Sequence, residues 1–358
     1  KNNIQKQINQ WYKKLNMSPK NLSAKNRIPK ILIKKLNNKK INKIYKQFEK
    51  SLNINENFAV AVSGGPDSLA LAFLAKIYSI NNSVTSKFLI VDHKIREEST
   101  REALSVKKLL KDHSISAKIL TWNGKKPNSN IQSSARKKRY ELLFKECDKL
   151  KINNILLGHH QDDLFENFFI RLLRGSGLKG LITFGLKNKI DNKNLIRPLI
   201  DQKKKDLEFI SKYVFNFYVE DPTNQNEKYQ RIRIRKLIKE LQDNGLNKKK
   251  FADTIKNLKH SNNVIDFYVN LNLHKNSFFS YKSNKMTLGR EFFQQSHEVV
   301  FRSFAEIIKS VGKKYYFARG KKLEKVISEI QNNTISKGTL GGCIIEKVNQ
   351  TVIIYKER

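Results

Sequence analysis

Five consecutive apolar residues, Phe58-Ala-Val-Ala-Val62, run directly into Ser63-Gly64-Gly65-Pro66-Asp67-Ser68 and then into a second apolar run, Leu69 to Phe73. An apolar run without alternation predicts a strand covered on both faces, and the longer stretch after a small-residue turn predicts a buried helix. The same pairing recurs downstream. Strands are expected at Phe88 to Val91, Lys118 to Trp122 and Asn154 to Leu157, and helices at Ser68 to Tyr78, Thr100 to His113, Ile131 to Lys149 and Asp163 to Leu173. Strands separated by helices imply βαβ units, an α/β fold with a buried parallel sheet, and ligands held outside the carboxyl ends of the strands. The residues that follow each strand are therefore the candidate functional ones.

The turn at residues 63 to 68 suits an anion. Gly64 and Gly65 let the backbone approach closely, and the N–H groups and positive dipole at the start of the helix attract a phosphate. Ser63 and Ser68 add hydroxyl donors. Asp67 beside a phosphate is repulsive by itself, so it implies a bridging Mg²⁺ or a cationic group nearby. A simple helix cap is the plain alternative for such residues, but the full string in strand-to-helix context is far more specific. No Walker lysine follows it, which favours cleavage between the α and β phosphates.

Polar residues also gather after the later strands. Asp92 and His93, with Arg96 and Ser99, follow the second, and Gly158-His159-His160-Gln161-Asp162-Asp163-Leu-Phe-Glu166-Asn167 follows the fourth. If a helix starts near Asp162, His159, Asp163 and Glu166 come together, a group able to hold an ammonium, orient Mg²⁺ or accept a proton from an amine. On the intervening helix Gln132, Arg136 and Tyr140 are spaced four apart. Arg136 is expected to face the phosphates and Arg139 to point elsewhere.

The formal net charge of +39, from 71 Lys and Arg against 32 Asp and Glu, points to a polyanionic partner, and nucleic acid is the natural one. A usage bias toward Lys, Asn and Ile explains part of the lysine count but not the scarcity of acids. No stretch approaches the roughly 18 apolar residues of a membrane helix, so no membrane association is expected. Cys147 and Cys343 are too few and too distant in sequence for a disulfide framework. A reducing, cytoplasmic compartment is the expectation. Residues 1–40 read as a basic extension with Trp11 and Tyr12, residues 41–202 as the nucleotide-binding domain, 203–275 as a helical connector, and 276–358 as a small α+β domain. Within these last two, helices are expected at Lys204 to Phe217, Tyr229 to Asp243, Lys250 to Leu271 and Phe292 to Val311, and strands at Cys343 to Glu346 and Thr351 to Tyr355.

The SGGxDS string resembles that of the PP-loop ATP-pyrophosphatases, whose sheet is of the adenine nucleotide alpha-hydrolase-like type. Arg171-Leu-Leu-Arg174-Gly175-Ser176-Gly177, Arg197-Pro198-Leu199, Glu220-Asp221-Pro222-Thr223-Asn224 and Arg231-Ile-Arg233-Ile-Arg235 resemble, in order and spacing, the tRNA(Ile)-lysidine synthetases. The likeness is good from Ile41 to Leu241 and looser through Phe317-Ala-Arg319-Gly320 and Gly338-Thr-Leu-Gly341-Gly342. Asn167 stands where many members of that family have Thr. The resemblance implies ATP and Mg²⁺ as cofactors, with free L-lysine and a tRNA(Ile) bearing the anticodon CAU as partners. The C2 oxygen of the wobble cytidine is adenylated, and the lysine amine then displaces AMP.

On that reading residues 63 to 68 hold the pyrophosphate, and Asp67 and Asp163 contact Mg²⁺ or the lysine ammonium. Arg136 stabilises charge in the adenylation step. Glu166, with His159 or His160 and Asp162, recognises lysine or helps deprotonate it. Arg174 and Gly175 approach the base, and Arg231, Arg233 and Arg235 meet RNA phosphates. The C-terminal domain takes part in tRNA recognition. A PP-loop thiolation enzyme is the alternative, disfavoured because neither cysteine has a partner cysteine nearby. The oligomeric state is left open, with a homodimer among the options.

Overall fold

The computed structural model describes residues 29–124, 131–219, 230–313, 318 and 320–357. The chain divides into two compact units, one ending at Gly245 and one beginning at Leu246. The first contains α1 (Lys30–Leu36) and α2 (Lys39–Leu52), then β1 (Phe58–Val62), α3 (Pro66–Asn81), β2 (Ser86–Asp92), α4 (Glu98–Asp112) and β3 (Ala117–Thr121). It continues with α5 (Ile131–Lys149), β4 (Asn154–Leu156), α6 (Gln161–Leu172), the short α7 (Leu178–Leu181), β5 (Lys187–Ile190), β6 (Lys193–Ile196), α8 (Lys204–Phe215) and α9 (Gln230–Asp243).

Six strands form one sheet in the order β3-β2-β1-β4-β6-β5. All neighbouring pairs are parallel except β5 with β6, a hairpin at the edge. The chain steps outward from β1 to β2 and β3, then returns to place β4 on the other side of β1. The order therefore reverses between β1 and β4, the position where an open α/β sheet leaves a crevice at its carboxyl edge.

The unbroken apolar run of β1 is explained by two cores. Phe58, Val60 and Val62 enter one with Phe88 and Ile90 of β2, while Ala59 enters the other with Leu89, Leu120, Leu143 and Ile155. Helix α3 is apolar around most of its circumference because it is enclosed: Leu69 to Ala75 are all fully buried, in the same core as residues of α2 and α8. Each such Leu or Phe contributes about 1.5–3 kcal/mol relative to exposure. Within the expected basic extension, Leu32 of α1 is also fully buried in this core. Residues 1–28 lie outside the described residues.

The second unit opens with α10 (Lys248–Asn276), so the helical stretch expected across residues 203–275 is shared, with α8 and α9 in the first unit and α10 in the second. An antiparallel sheet in the order β7-β8-β11-β10-β9 follows, built from β7 (Ser277–Ser280), β8 (Lys285–Leu288), β9 (Lys337–Leu340), β10 (Cys343–Val348) and β11 (Thr351–Lys356). Helices α11 (His297–Gly312) and α12 (Gly320–Gln331) cover it through Phe304, Ile308, Leu323 and Ile327 against Ile345 and Ile354. Sequence patterning locates β10 and β11 but not the other three strands, which are only four residues long. The helix expected from Phe292 is two pieces, a 3₁₀ turn at Arg290–Gln294 and then α11.

Candidate active site

The glycine-rich turn lies at the carboxyl end of β1, beside the switch in strand order. Gly64 has φ +89°, and a Cβ there would stand 2.6 Å from Cγ2 of Val106, so both backbone angle and space require glycine. Gly65 is the N-cap of α3 and Pro66 its first residue. Ser68 Oγ accepts from the N–H groups of Ser63 and Gly64, each at 3.1 Å, and donates to the Gly65 carbonyl at 3.0 Å. The Gly64 carbonyl in turn accepts from Val219 N–H at 3.0 Å, tying the turn to the chain beyond α8.

The end of β4 meets this turn backbone to backbone. A Cβ on Gly158 would lie 3.0 Å from Ser68 N and 3.1 Å from the Asp67 carbonyl. That approach delivers His160, the N-cap of α6, to the carboxylates. Asp162 N–H donates to His160 Nδ1 at 3.2 Å, which leaves the ring proton on Nε2. Nε2 stands 3.6 Å from Asp67 Oδ2 and 3.6 Å from Asp163 Oδ2. His160 N–H also donates to Asp163 Oδ2 at 3.0 Å, closing the helix start as a capping box.

These neighbours set the charges. Burial pushes the Asp67 carboxyl up to about 6, with Asp163 adding to the rise and His160 opposing it. Burial acts to raise Asp163 too, but His160, His159 and the hydrogen bond from His160 N–H outweigh it and hold that carboxyl below its ordinary value. Burial pushes His159 down to about 3, so its ring is neutral and a weak base. His159 packs edge-on against Phe184, on which Arg197 also stacks.

A cavity of about 280 Å³ opens in front of the turn. Of the expected site residues it is lined by Ser63, Gly65, Asp67, Ser68, Arg136 and His159. It is also lined by Arg139, which corrects the expectation that this side chain points elsewhere. Residues three and four apart share a helix face, so Arg136, Arg139 and Tyr140 line the cavity together. Arg139 Nε approaches His93 Nε2 at 3.4 Å, and Arg136 donates to Tyr140 Oη at 3.2 Å. The polar residues after β2 line the cavity too: His93, Arg96 and Ser99 do so with Glu102, which sequence reading missed although it lies three residues beyond Ser99 on α4. Asp92 instead is buried and accepts from Lys94 N–H and Thr100 Oγ1, holding the loop.

The remaining expected residues lie away from the cavity lining. Glu166, one turn beyond Asp163 on α6, is 1% exposed, and its Oε1 accepts from Arg235 Nε at 2.5 Å. Burial holds its carboxyl above the ordinary value, against the opposing effect of Arg235. Arg231, one turn earlier than Arg235 on α9, acts electrostatically on His159, Asp163 and Glu166. Arg233 and Arg235 are both exposed, but Arg231 and Arg235, four apart, share a helix face that Arg233 does not. Arg174 is exposed and donates to Gln230 Oε1 at 3.1 Å, with Gly175 beside it at φ +67°.

Among the described residues no group of three or more His, Cys, Asp and Glu side chains is arranged to hold a metal by itself. The donors present fit a Mg²⁺ shared with phosphate oxygens, which needs only one or two carboxylates. Asp67 Oδ1 is buried without a hydrogen-bond partner, and Asp163 shares the His160 edge with Asp67. Both thiols are buried, and burial pushes Cys147 up to about 11, so neither suits sulfur transfer.

A phosphate-cradling turn at the switch point of a parallel sheet defines a PP-loop ATP-utilising enzyme, and residues 34–241 match the family model described as a PP-loop domain. The chain is 35% identical over 316 residues to a tRNA(Ile)-lysidine synthase of Orientia tsutsugamushi (strain Boryong), covering 85% of this chain and 70% of that protein. It is 32% identical over 336 residues to one of Rickettsia bellii, covering 88% and 74%. The chain belongs to the tRNA(Ile)-lysidine synthase family. Among solved structures it resembles the U34-tRNA thiolase NcsA of Methanococcus maripaludis, with TM-score 0.53 and 18% identity over 62% of this chain and 78% of that one, a likeness of fold alone.

Proposed function

We propose that this chain ligates free L-lysine to C2 of the wobble cytidine of a tRNA(Ile) carrying the anticodon CAU. The α-phosphorus of ATP passes to the C2 oxygen with release of pyrophosphate, and the lysine amine then takes that position at C2 as AMP departs. The observation that carries the reading is the junction of β1 and β4, where one imidazole, His160, faces carboxylates from the phosphate-binding turn and from α6. Membership of the lysidine synthase family supports the choice of substrate.

In this reading the turn from Ser63 to Ser68 holds phosphates, with Mg²⁺ neutralising their charge beside Asp67 and Asp163 when bound. Arg136 and Arg139 face the charge that develops at the α-phosphate. His160, with Nε2 at 3.6 Å from each carboxylate, acts to lower the proton affinity of both. His159, held neutral by burial, is a wall of the cavity and not the proton acceptor. Glu166 meets the amine end of the reaction. Arg174 and the exposed Arg233 serve the RNA, and the second unit takes part in tRNA recognition. The deciding experiment measures lysine-dependent AMP release and labelled-lysine incorporation with a CAU-anticodon transcript. ATP cleavage without lysine in the RNA would overturn the assignment.

A further inference from the structure

Arg235 belongs to α9, which is separated from the sheet by α8 and residues 216–229, yet its guanidinium meets the most deeply buried carboxylate beside the site. We propose that Arg235 is a positioning residue for the lysine-transfer step: it fixes the Glu166 carboxylate so that Oε2 is presented to the incoming amine. The inference rests on the function proposed above.

The geometry supports a built device and not a surface ion pair. Glu166 is 1% exposed, its Oε1 is taken by Arg235 Nε at 2.5 Å, and its Oε2 is buried with no hydrogen-bond partner. A buried carboxylate oxygen without a donor is costly, about 1–3 kcal/mol or more, so such an atom calls for a ligand group. The amine of a lysine substrate is a donor of the right chemistry. The bond through a single guanidinium nitrogen pins one oxygen and thereby directs the other. Arg235 is itself partly exposed, with 40% of its side chain accessible, so it is reached from the solvent side while its partner is not. Arg231, one helical turn away, adds positive charge near Glu166 and Asp163, which keeps this pair of carboxylates compatible. On this proposal Arg235 serves the Glu166 carboxylate, where sequence reading expected a phosphate contact.

The two half-reactions separate the outcomes. tRNA-dependent exchange of labelled pyrophosphate into ATP, without lysine, reads adenylation, and labelled-lysine incorporation reads transfer. Arg235→Gln should leave exchange within about twofold of the parent and weaken transfer by roughly ten- to a hundredfold, the scale of a misplaced group, through KM for lysine or kcat. Arg235→Lys should show a smaller loss of the same kind, and remains informative if the Gln variant folds poorly. In a Glu166→Gln background the Arg235→Gln change should add nothing further. The salt dependence of tRNA binding should keep its slope, whereas loss of a phosphate contact would lower it by about one. The proposal is overturned if exchange and transfer fall together, if the lysine parameters do not move, or if the salt slope drops. Failure of the unmodified chain to incorporate lysine would instead sink the functional reading.

Discussion

Gly158 and Asp67 touch through their backbones: a methyl group on Gly158 would sit 3.1 Å from the Asp67 carbonyl carbon and oxygen. Strand β4 can bring His160 to the phosphate-binding turn only because this position carries no side chain. Gly158→Ala should separate the two segments, cost about 1–3 kcal/mol of stability, and reduce ATP-dependent turnover more than it reduces tRNA binding. Normal turnover together with a normal denaturation midpoint would show that the contact is dispensable.

Asp67→Ala should abolish ATP-dependent modification while leaving tRNA affinity largely intact, because RNA docking relies on phosphate neutralisation elsewhere. Chelation of divalent cations should have the same selective effect. A filter-binding assay beside an AMP-release assay separates the two, and retained turnover in the variant would displace Asp67 from the site.

Asp67 also gives the apo protein an unusual acid response. Its carboxyl binds a proton more tightly in the folded chain, at about 6, than at its ordinary value of 3.8. Its contribution to stability is therefore complete below the unfolded value and is lost as pH rises through about 6. Asp67→Asn should raise stability at pH 8 by about 1–3 kcal/mol, with the gain vanishing below pH 4. Denaturant titrations without nucleotide provide the measurement, and equal midpoints at pH 8 would contradict it.

His159 carries the opposite sign. Burial depresses its folded value to about 3 from 6.5, so the stability it contributes is present above 6.5 and lost as pH falls toward about 3. Because the ring stays neutral through the working range, any fall in turnover on acidification near pH 6 should persist in His159→Asn. Disappearance of that acid limb in the variant would make His159 the titrating group after all.

The net charge of +39 predicts steep salt dependence of RNA binding. Replacing the exposed Arg233 by Ala should reduce the slope of log affinity against log salt by about one, uniformly across tRNA sequences. An unchanged slope would remove Arg233 from the RNA surface.

Much of the site was readable in one dimension because its chemistry is local. A small-residue turn between an apolar strand and an apolar helix has few uses, and a helix start near Asp162 was legible, whereas the cap by His160 with Asp163 came from the structure. The β5 and β6 hairpin was not readable, since four-residue strands rich in Lys and Asn carry little hydrophobic signal. Glu102 and Arg139 were within reach, because each lies three residues from a residue already singled out, but helical periodicity states only which side chains share a face.

What that face meets is a matter of packing between segments distant in the chain. The sequence by itself determined the α/β alternation, the anion-binding turn and the polar content of each strand end, all consequences of backbone geometry over a few residues. Only the tertiary structure decided that β4 lies against β1, that His160 therefore reaches Asp67, and that Arg235 closes on Glu166 69 residues away. Those pairings depend on burial of the two cores flanking the sheet, a cooperative free energy that no short stretch of sequence contains.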